Sequence, residues 1–227
     1  MFKYFVISII FLSGISFEST ASIASLQFRA AQPPEQPADI ASGKRAFNSA
    51  AELGLFFEML KQSYPITTVI ETGTFEGGST AFFAKLFEEV HTIDNNSHFL
   101  DIAKKELSSL QNIQFHLGSS QKVLTNILPS LKDRFILFYL DAHWENYWPL
   151  LDEIEAISKT HHQHCIIVVD DVKVPGRPDI PYDSYGEHEC SYAYVKRKLE
   201  KTFDAYNAFY LIPADPSARA KLVVTPK

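Results

Sequence analysis

The stretch TVIETGTFEGGSTAFFAKLFEEVHTID, residues 68–94, decides the fold. The apolar pair Val69–Ile70 ends at Glu71, and Gly73, Gly77 and Gly78 follow at once. A helical apolar pattern then runs on, and a second short apolar run closes at Asp94. The order strand, glycine turn, amphipathic helix, strand, acid is that of a βαβ unit that holds a nucleoside. Glycine lets backbone approach a ligand with no Cβ in the way. An acid about 20 residues past the turn is placed to bind ribose hydroxyls.

The spacing of the glycines separates candidate ligands. A phosphate-gripping loop needs G-x-x-x-x-G-K-[ST]. Here the loop has no lysine and carries Glu76, which would repel a triphosphate. The dinucleotide pattern G-x-G-x-x-G also fails, because Phe75 stands where its second glycine would lie. Glu71 and Glu76 instead suit a positively charged ligand such as S-adenosylmethionine, which has an ammonium, a sulfonium and a ribose.

Outward from this unit the pattern repeats. Strands are expected near 67–72, 90–94, 112–117, 134–140 and 164–170, and helices near 78–88, 97–109, 120–131, 148–159 and 191–202. Such alternation predicts a parallel sheet wrapped by helices on both faces. The continuous apolar runs Phe135–Leu140 and Ile166–Val169 fit strands buried on both faces. Residues 205–212 and 222–225, joined by a Pro/Asp/Ser loop, predict a hairpin at one sheet edge. A helix is also expected from near Lys44 to Pro65, with Phe47, Leu53, Phe56, Phe57 and Leu60 on its apolar face.

The segment Glu71-Thr-Gly-Thr-Phe-Glu-Gly-Gly-Ser79, with Leu140-Asp-Ala-His-Trp144 and Val169-Asp-Asp171 later, resembles the class I S-adenosylmethionine-dependent methyltransferases. It is similar to their small-molecule O-methyltransferase branch, which includes macrocin O-methyltransferase and cephalosporin-hydroxylase-like proteins. The resemblance covers roughly residues 46–225. It implies an α/β, Rossmann-like, doubly wound and mostly parallel seven-stranded sheet with a C-terminal antiparallel hairpin.

In such sheets the ligand sits at the carboxyl ends of the strands. Glu71, Gly73, Thr74, Gly77, Ser79, Asp94, Ser119 and Asp141 are therefore the expected cofactor contacts. Asn95, Asn96 and Ser97 are better suited than Asp94 to cap the helix that follows. Asp141, Asp170 and Asp171 end adjacent strands, and left bare they would repel one another. They need a cation, a proton or hydrogen-bond donors. The resemblance implies that they hold a divalent ion such as Mg²⁺, which takes oxygen ligands and lowers the pKa of a bound hydroxyl. The alternative is a hydrogen-bonded acid group without metal.

Asp141 and His143 are the expected catalytic residues. His143 has the pKa range of a general base, but it also fits a metal ligand, a supporting group or a packed ring beside Trp144. Trp144, Tyr147 and Trp148 either stack on an acceptor or pack. Residues 173–190 form a long loop after the fifth strand, where a lid would sit. Its Tyr182, Asp183, Tyr185, His188 and Glu189 are candidates for acceptor selection. His161, His162 and His164 precede that strand at its amino end, and they read as loop residues on the wrong side for chemistry.

A formal net charge of −6 with no basic stripe excludes phosphate-neutralising nucleic-acid binding. Cys165 and Cys190 leave open a single disulfide, and no zinc spacing exists. The partner is thus expected to be a small-molecule substrate.

Residues 1–24 carry one lysine, an apolar run and then small residues, as in a secretory signal or a membrane anchor. Cleavage after Ala21 or Ala24 fits. A Pro-rich linker at 25–43 separates this segment from the domain at 44–227. The expectation is export to the periplasm or medium, or attachment to a membrane only through an uncleaved N-terminus. Without a functioning signal the chain would be cytoplasmic. Export would also separate the chain from cytosolic S-adenosylmethionine, which keeps open a non-catalytic nucleoside-binding or interaction module.

Overall fold

A computed structural model describes residues 9–10, 24–27, 45–50, 52–143 and 147–227. The expected linker at 25–43 and the leader at 1–24 lie mostly outside these residues, as does Trp144.

Seven strands form the body of one sheet. They are β1 (Thr68–Thr72), β2 (Glu89–Asp94), β3 (Ile113–Leu117), β4 (Ile136–Leu140), β5 (Cys165–Val169), β6 (Tyr206–Ile212) and β7 (Lys221–Pro226). Their order across the sheet is β6-β7-β5-β4-β1-β2-β3. The first five pair in parallel, whereas β7 runs antiparallel to both β5 and β6. The expected doubly wound, mostly parallel seven-stranded sheet with an antiparallel hairpin is therefore present. The order reverses at β1, so β1 and β4 end at the topological switch point, where such sheets bind ligands.

Two short N-terminal strands extend this sheet. Ala24–Gln27 pairs in parallel with Phe209–Ile212 of β6, and Ile9–Ile10 pairs antiparallel with Leu26 and Ser25.

Helices α1 (Leu53–Ser63), α2 (Gly78–Leu86), α3 (Ser97–Glu106), α4 (Ser120–Ile127), α5 (Leu150–Ser158) and α6 (Tyr192–Thr202) cover both faces. Side chains alternate along each strand, so one strand feeds two cores. Val69, Leu137, Tyr139, Ile166, Val168 and Val223 pack with Phe56, Phe57 and Phe83 of α1 and α2. Ile70, Phe138, Leu140, Ile167 and Val169 pack with Leu124, Ile154, Val195 and Leu199 of α4, α5 and α6. The long apolar strands fold as read because both of their faces are buried.

The helix expected from Lys44 is shorter and starts later. Phe47 and Asn48 have φ of 55° and 57°, in the left-handed region. The chain there makes a 3₁₀ turn at Ala46–Ser49, and α1 begins only at Leu53. Phe47 still reaches the core, where its ring stacks on Phe57 with centroids 4.9 Å apart. His161 lies in the loop before β5 as expected, but it is fully buried there, with Nε2 3.1 Å from the Leu131 carbonyl oxygen. Cys165 and Cys190 are both buried free thiols.

Among the described residues no helix is long and apolar enough to cross a membrane.

Candidate active site at the carboxyl ends of β1, β4 and β5

The glycine turn is fixed by its own backbone. Gly73 has φ of +87° and donates its N–H to the Ile93 carbonyl at 2.9 Å. A Cβ on Gly73 would lie 2.6 Å from the carbonyl oxygen of Asp141. The glycine therefore lets the ends of β1 and β4 touch. Gly77, at φ +88°, caps the start of α2, and a Cβ there would meet Leu107 at 2.9 Å.

Beneath the turn lies a buried polar knot. Glu71 is 1% exposed, and its Oε2 accepts hydrogen bonds from the hydroxyls of Thr80 and Thr92, the latter at 2.7 Å. Burial pushes its carboxyl up to about 7, against the lowering effect of those two hydroxyls. Thr74 Oγ1 lies 2.6 Å from Thr92 Oγ1. Glu71 and Thr74 thus brace the turn from below, and Glu76 pairs with Arg45 at 2.8 Å. Ser79 Oγ sits 3.5 Å from the Phe47 amide, which donates to it.

Asp94 ties the turn to β2. Its Oδ2 accepts the Phe75 N–H at 2.9 Å and its Oδ1 the Asn96 N–H at 2.8 Å. Capping of α3 falls to Asn96, whose Oδ1 accepts the His98 N–H at 2.9 Å. Phe75 is a residue the motif reading passed over. It has φ of +46°, is 55% exposed, and lies 4.5 Å from the Phe99 ring. An aromatic face held open above a nucleoside loop is available for stacking. At the end of β3, Ser119 is the N-cap position of α4, and its hydroxyl donates to Gln121 at 2.6 Å.

Next to the turn is a small, partly open cavity, lined in part by Asp141, His143, Trp148, Asp170, Asp171 and Asp183. Asp141 joins it to the glycine turn, since the Asp141 N–H donates to the Thr72 carbonyl at 3.0 Å. Burial, then Asp170 and Asp171, holds the Asp141 carboxyl well above the usual carboxylate range. His143 is half exposed, with Nε2 3.9 Å from Asp183. Trp148 lies 4.7 Å from Tyr194 in a stacked pair and 5.1 Å from Tyr185, so it both packs and lines the cavity. Tyr147 instead donates its hydroxyl to Asp152.

The cations that the three acids require come from the chain itself, and sequence reading missed them. Lys221 is fully buried, and its Nζ lies 2.6 Å from Asp170 Oδ1. Asp170 also accepts the Tyr139 hydroxyl and, at 2.7 Å, the Asp171 N–H. Arg219 pairs with Asp171 and, at 2.5 Å, with Asp183. Asp171 and Arg219 both hold left-handed backbone, φ 54° and 57°. Strain of that kind costs about 1–3 kcal/mol per residue and gathers at functional sites.

This corrects the expected Mg²⁺ site. Asp170 has both oxygens engaged, and two protein cations sit on the carboxylates a dication would need. Among the described residues no group of three His, Cys, Asp or Glu side chains is arranged to hold a metal. Asp141, Asp170 and Asp171 are together as expected, but the set does not fit a divalent ion.

Residues 70–172 match the family model of a methyltransferase domain. A search of curated protein sequences finds no significant match. Among solved structures, the chain is similar to the O-methyltransferase TomG of Streptomyces achromogenes, which is involved in tomaymycin synthesis and was crystallised with S-adenosylmethionine. That match has a TM-score of 0.56 at 19% identity and covers 84% of this chain and 90% of that one. The O-methyltransferase of Bacillus cereus matches with TM-score 0.55 at 14% identity, covering 85% and 92%. The Podospora anserina methyltransferase PaMTH1 matches with TM-score 0.54 at 13% identity, covering 85% and 89%. The latter two were solved with S-adenosylhomocysteine. At these identities the likeness establishes the fold.

Proposed function

We propose that this chain is an S-adenosylmethionine-dependent methyltransferase acting on a hydroxyl of a small acceptor, without a divalent ion. The observation that carries the reading is the contact of Gly73 with the Asp141 carbonyl. It sets a buried carboxyl of raised pKa between a nucleoside loop and a small cavity. The matched methyltransferase model spans both features. Solved relatives of this fold carry S-adenosylmethionine or its demethylated product.

Asp94 is placed for the ribose, Phe75 for a flat ring, and the Asp141 side of the cavity for the cofactor's ammonium. When bound, the cofactor supplies a methyl group on a positively charged sulfur. Asp141 would take the acceptor's hydroxyl proton, while the bound cofactor would give up its methyl group and keep the electron pair of the broken carbon–sulfur bond. Asp141 must be ionised to do this, and the positive charge of the bound cofactor would favour that form. His143, beside Asp183, lines the acceptor's entry. Most of the rate comes from positioning and fixed charge. The apolar leader supports export or N-terminal membrane attachment as the proposed location.

Calorimetric titration of the full chain with S-adenosylmethionine tests this. Micromolar binding is expected, unchanged by Mg²⁺ and weakened about tenfold or more by Asp94→Ala, roughly 1.4 kcal/mol. Absence of binding would favour the exported non-catalytic module.

A further inference from the structure

Resting on that methyltransferase reading, we infer that the acceptor carries a positively charged amine, which the β5 side of the cavity binds. The cavity is lined by four carboxylates, Asp141, Asp170, Asp171 and Asp183. Two cations face them, Lys221 and Arg219. The four acids outnumber the two cations, and burial together with Asp170 lifts the Asp141 and Asp171 carboxyls above the usual carboxylate range, so full charge there is costly unless a ligand of opposite sign meets it.

The deficit is local. Asp170 is satisfied by Lys221, Tyr139 and the Asp171 amide. Asp171 is only 8% exposed, yet its Oδ1 has no hydrogen-bond partner, while its Oδ2 is taken by Arg219. A buried acceptor atom without a partner calls for a donor. Trp148 contributes an aromatic wall to the same cavity, with Tyr185 behind it. Carboxylate plus aromatic face is the pairing that holds an ammonium group.

Sheet geometry keeps this group apart from the cofactor. β4 lies between β1 and β5. Neighbouring strands are about 4.8 Å apart, so Asp171 stands roughly 10 Å from the glycine turn, whereas Asp141 touches it. The acceptor's hydroxyl would lie toward Asp141 and its amine toward Asp171. An ammonium needs one or two acceptors and a ring face, which the cavity has. A dication needs six oxygens, which the engaged Asp170 and the adjacent Lys221 and Arg219 deny it.

The test uses three probes that share a hydroxyphenyl group and differ in the tail: tyramine, 4-ethylphenol and 3-(4-hydroxyphenyl)propionate. Each is titrated into the full chain, with and without S-adenosylmethionine. Tyramine is expected to bind at least tenfold tighter than 4-ethylphenol, with the propionate weakest. Asp171→Asn should cut the tyramine preference to about threefold or less and leave S-adenosylmethionine binding unchanged. If that variant folds poorly, the ranking on the unaltered protein decides alone.

Tyramine no tighter than 4-ethylphenol, or no tyramine binding at all, overturns the inference. So does Mn²⁺ that binds the protein and displaces tyramine. Where S-adenosylmethionine still binds, the methyltransferase reading survives that failure. Conversely, a tyramine preference without S-adenosylmethionine binding keeps the amine site and removes the methyltransferase reading.

Discussion

Replacing Lys221 by methionine removes one charge from the interior and nearly nothing else. The side chain is fully buried, and its partner Asp170 is 4% exposed at the side chain. Breaking a buried pair by removing one member costs about 3–5 kcal/mol, because the other charge is stranded. Tyr139 and the Asp171 amide still donate to Asp170, which moderates the loss. Against that, the Ala218 and Arg219 carbonyls lose their contacts with Nζ at 3.1 and 3.3 Å. Methionine refills most of the volume, so a cavity term is small. The balance is about 4 kcal/mol. At about 2–4 °C per kcal/mol for a chain of this size, Tm should fall by about 8–16 °C. Urea denaturation and calorimetry read this directly. The double variant Lys221→Met with Asp170→Asn removes both charges and should recover more than half of the loss. A single-variant loss below about 1 kcal/mol, or a double variant no better than the single, would refute the claim that this pair holds the site together.

The remaining predictions concern pH and the glycine turn. Glu71 and Glu153 are both buried, and burial first of all lifts each carboxyl from 4.5 to about 7. The Ser120 and Thr72 hydroxyls ease the charge on Glu153, yet neither of its oxygens completes a hydrogen bond. The folded state therefore holds these protons more tightly than the unfolded chain. The stability they contribute is full below pH 4.5 and is lost as pH rises through 7, by about 3 kcal/mol for each group. Glu153→Gln, which mimics the protonated form, should match the parent near pH 4.5 and exceed it in thermal stability at pH 8.5; equal pH slopes would count against this. Gly73→Ala forces a left-handed alanine against the Asp141 carbonyl. It should cost about 1–3 kcal/mol and weaken S-adenosylmethionine binding, and a variant with parental Tm and affinity would contradict the geometry.

Of the parallel strands, β4 and β5 were the most legible because each is an apolar run buried on two faces, whereas the edge strand β3 is only partly buried. The hairpin was legible because a polar, proline-containing loop divides two such runs. What failed was local backbone. Nothing in the composition of residues 44–52 announces that Phe47 and Asn48 adopt left-handed φ. At the site, the acids could be read at their strand ends, since the strand ends themselves could. Their counter-cations could not, because Lys221 reaches Asp170 only through the antiparallel pairing of β7 with β5, across some fifty residues of sequence. The role of Gly73 was read as room for a ligand. The structure adds contact between β1 and β4 as a reason, and no single-sequence pattern encodes a neighbour that distant.

The position of β7 has a consequence for how a newly made chain matures. β6 and β7 are synthesised last of the seven strands, yet β7 is not at the margin: it wedges between β5 and β6. Until it enters, Asp170 and Asp171 are without Lys221 and Arg219, and β5 has an unpaired edge. A nascent chain halted before residue 219 would therefore present an acidic, open-edged intermediate, a natural client for chaperones. Closing the sheet and neutralising the pocket would then be one and the same late event.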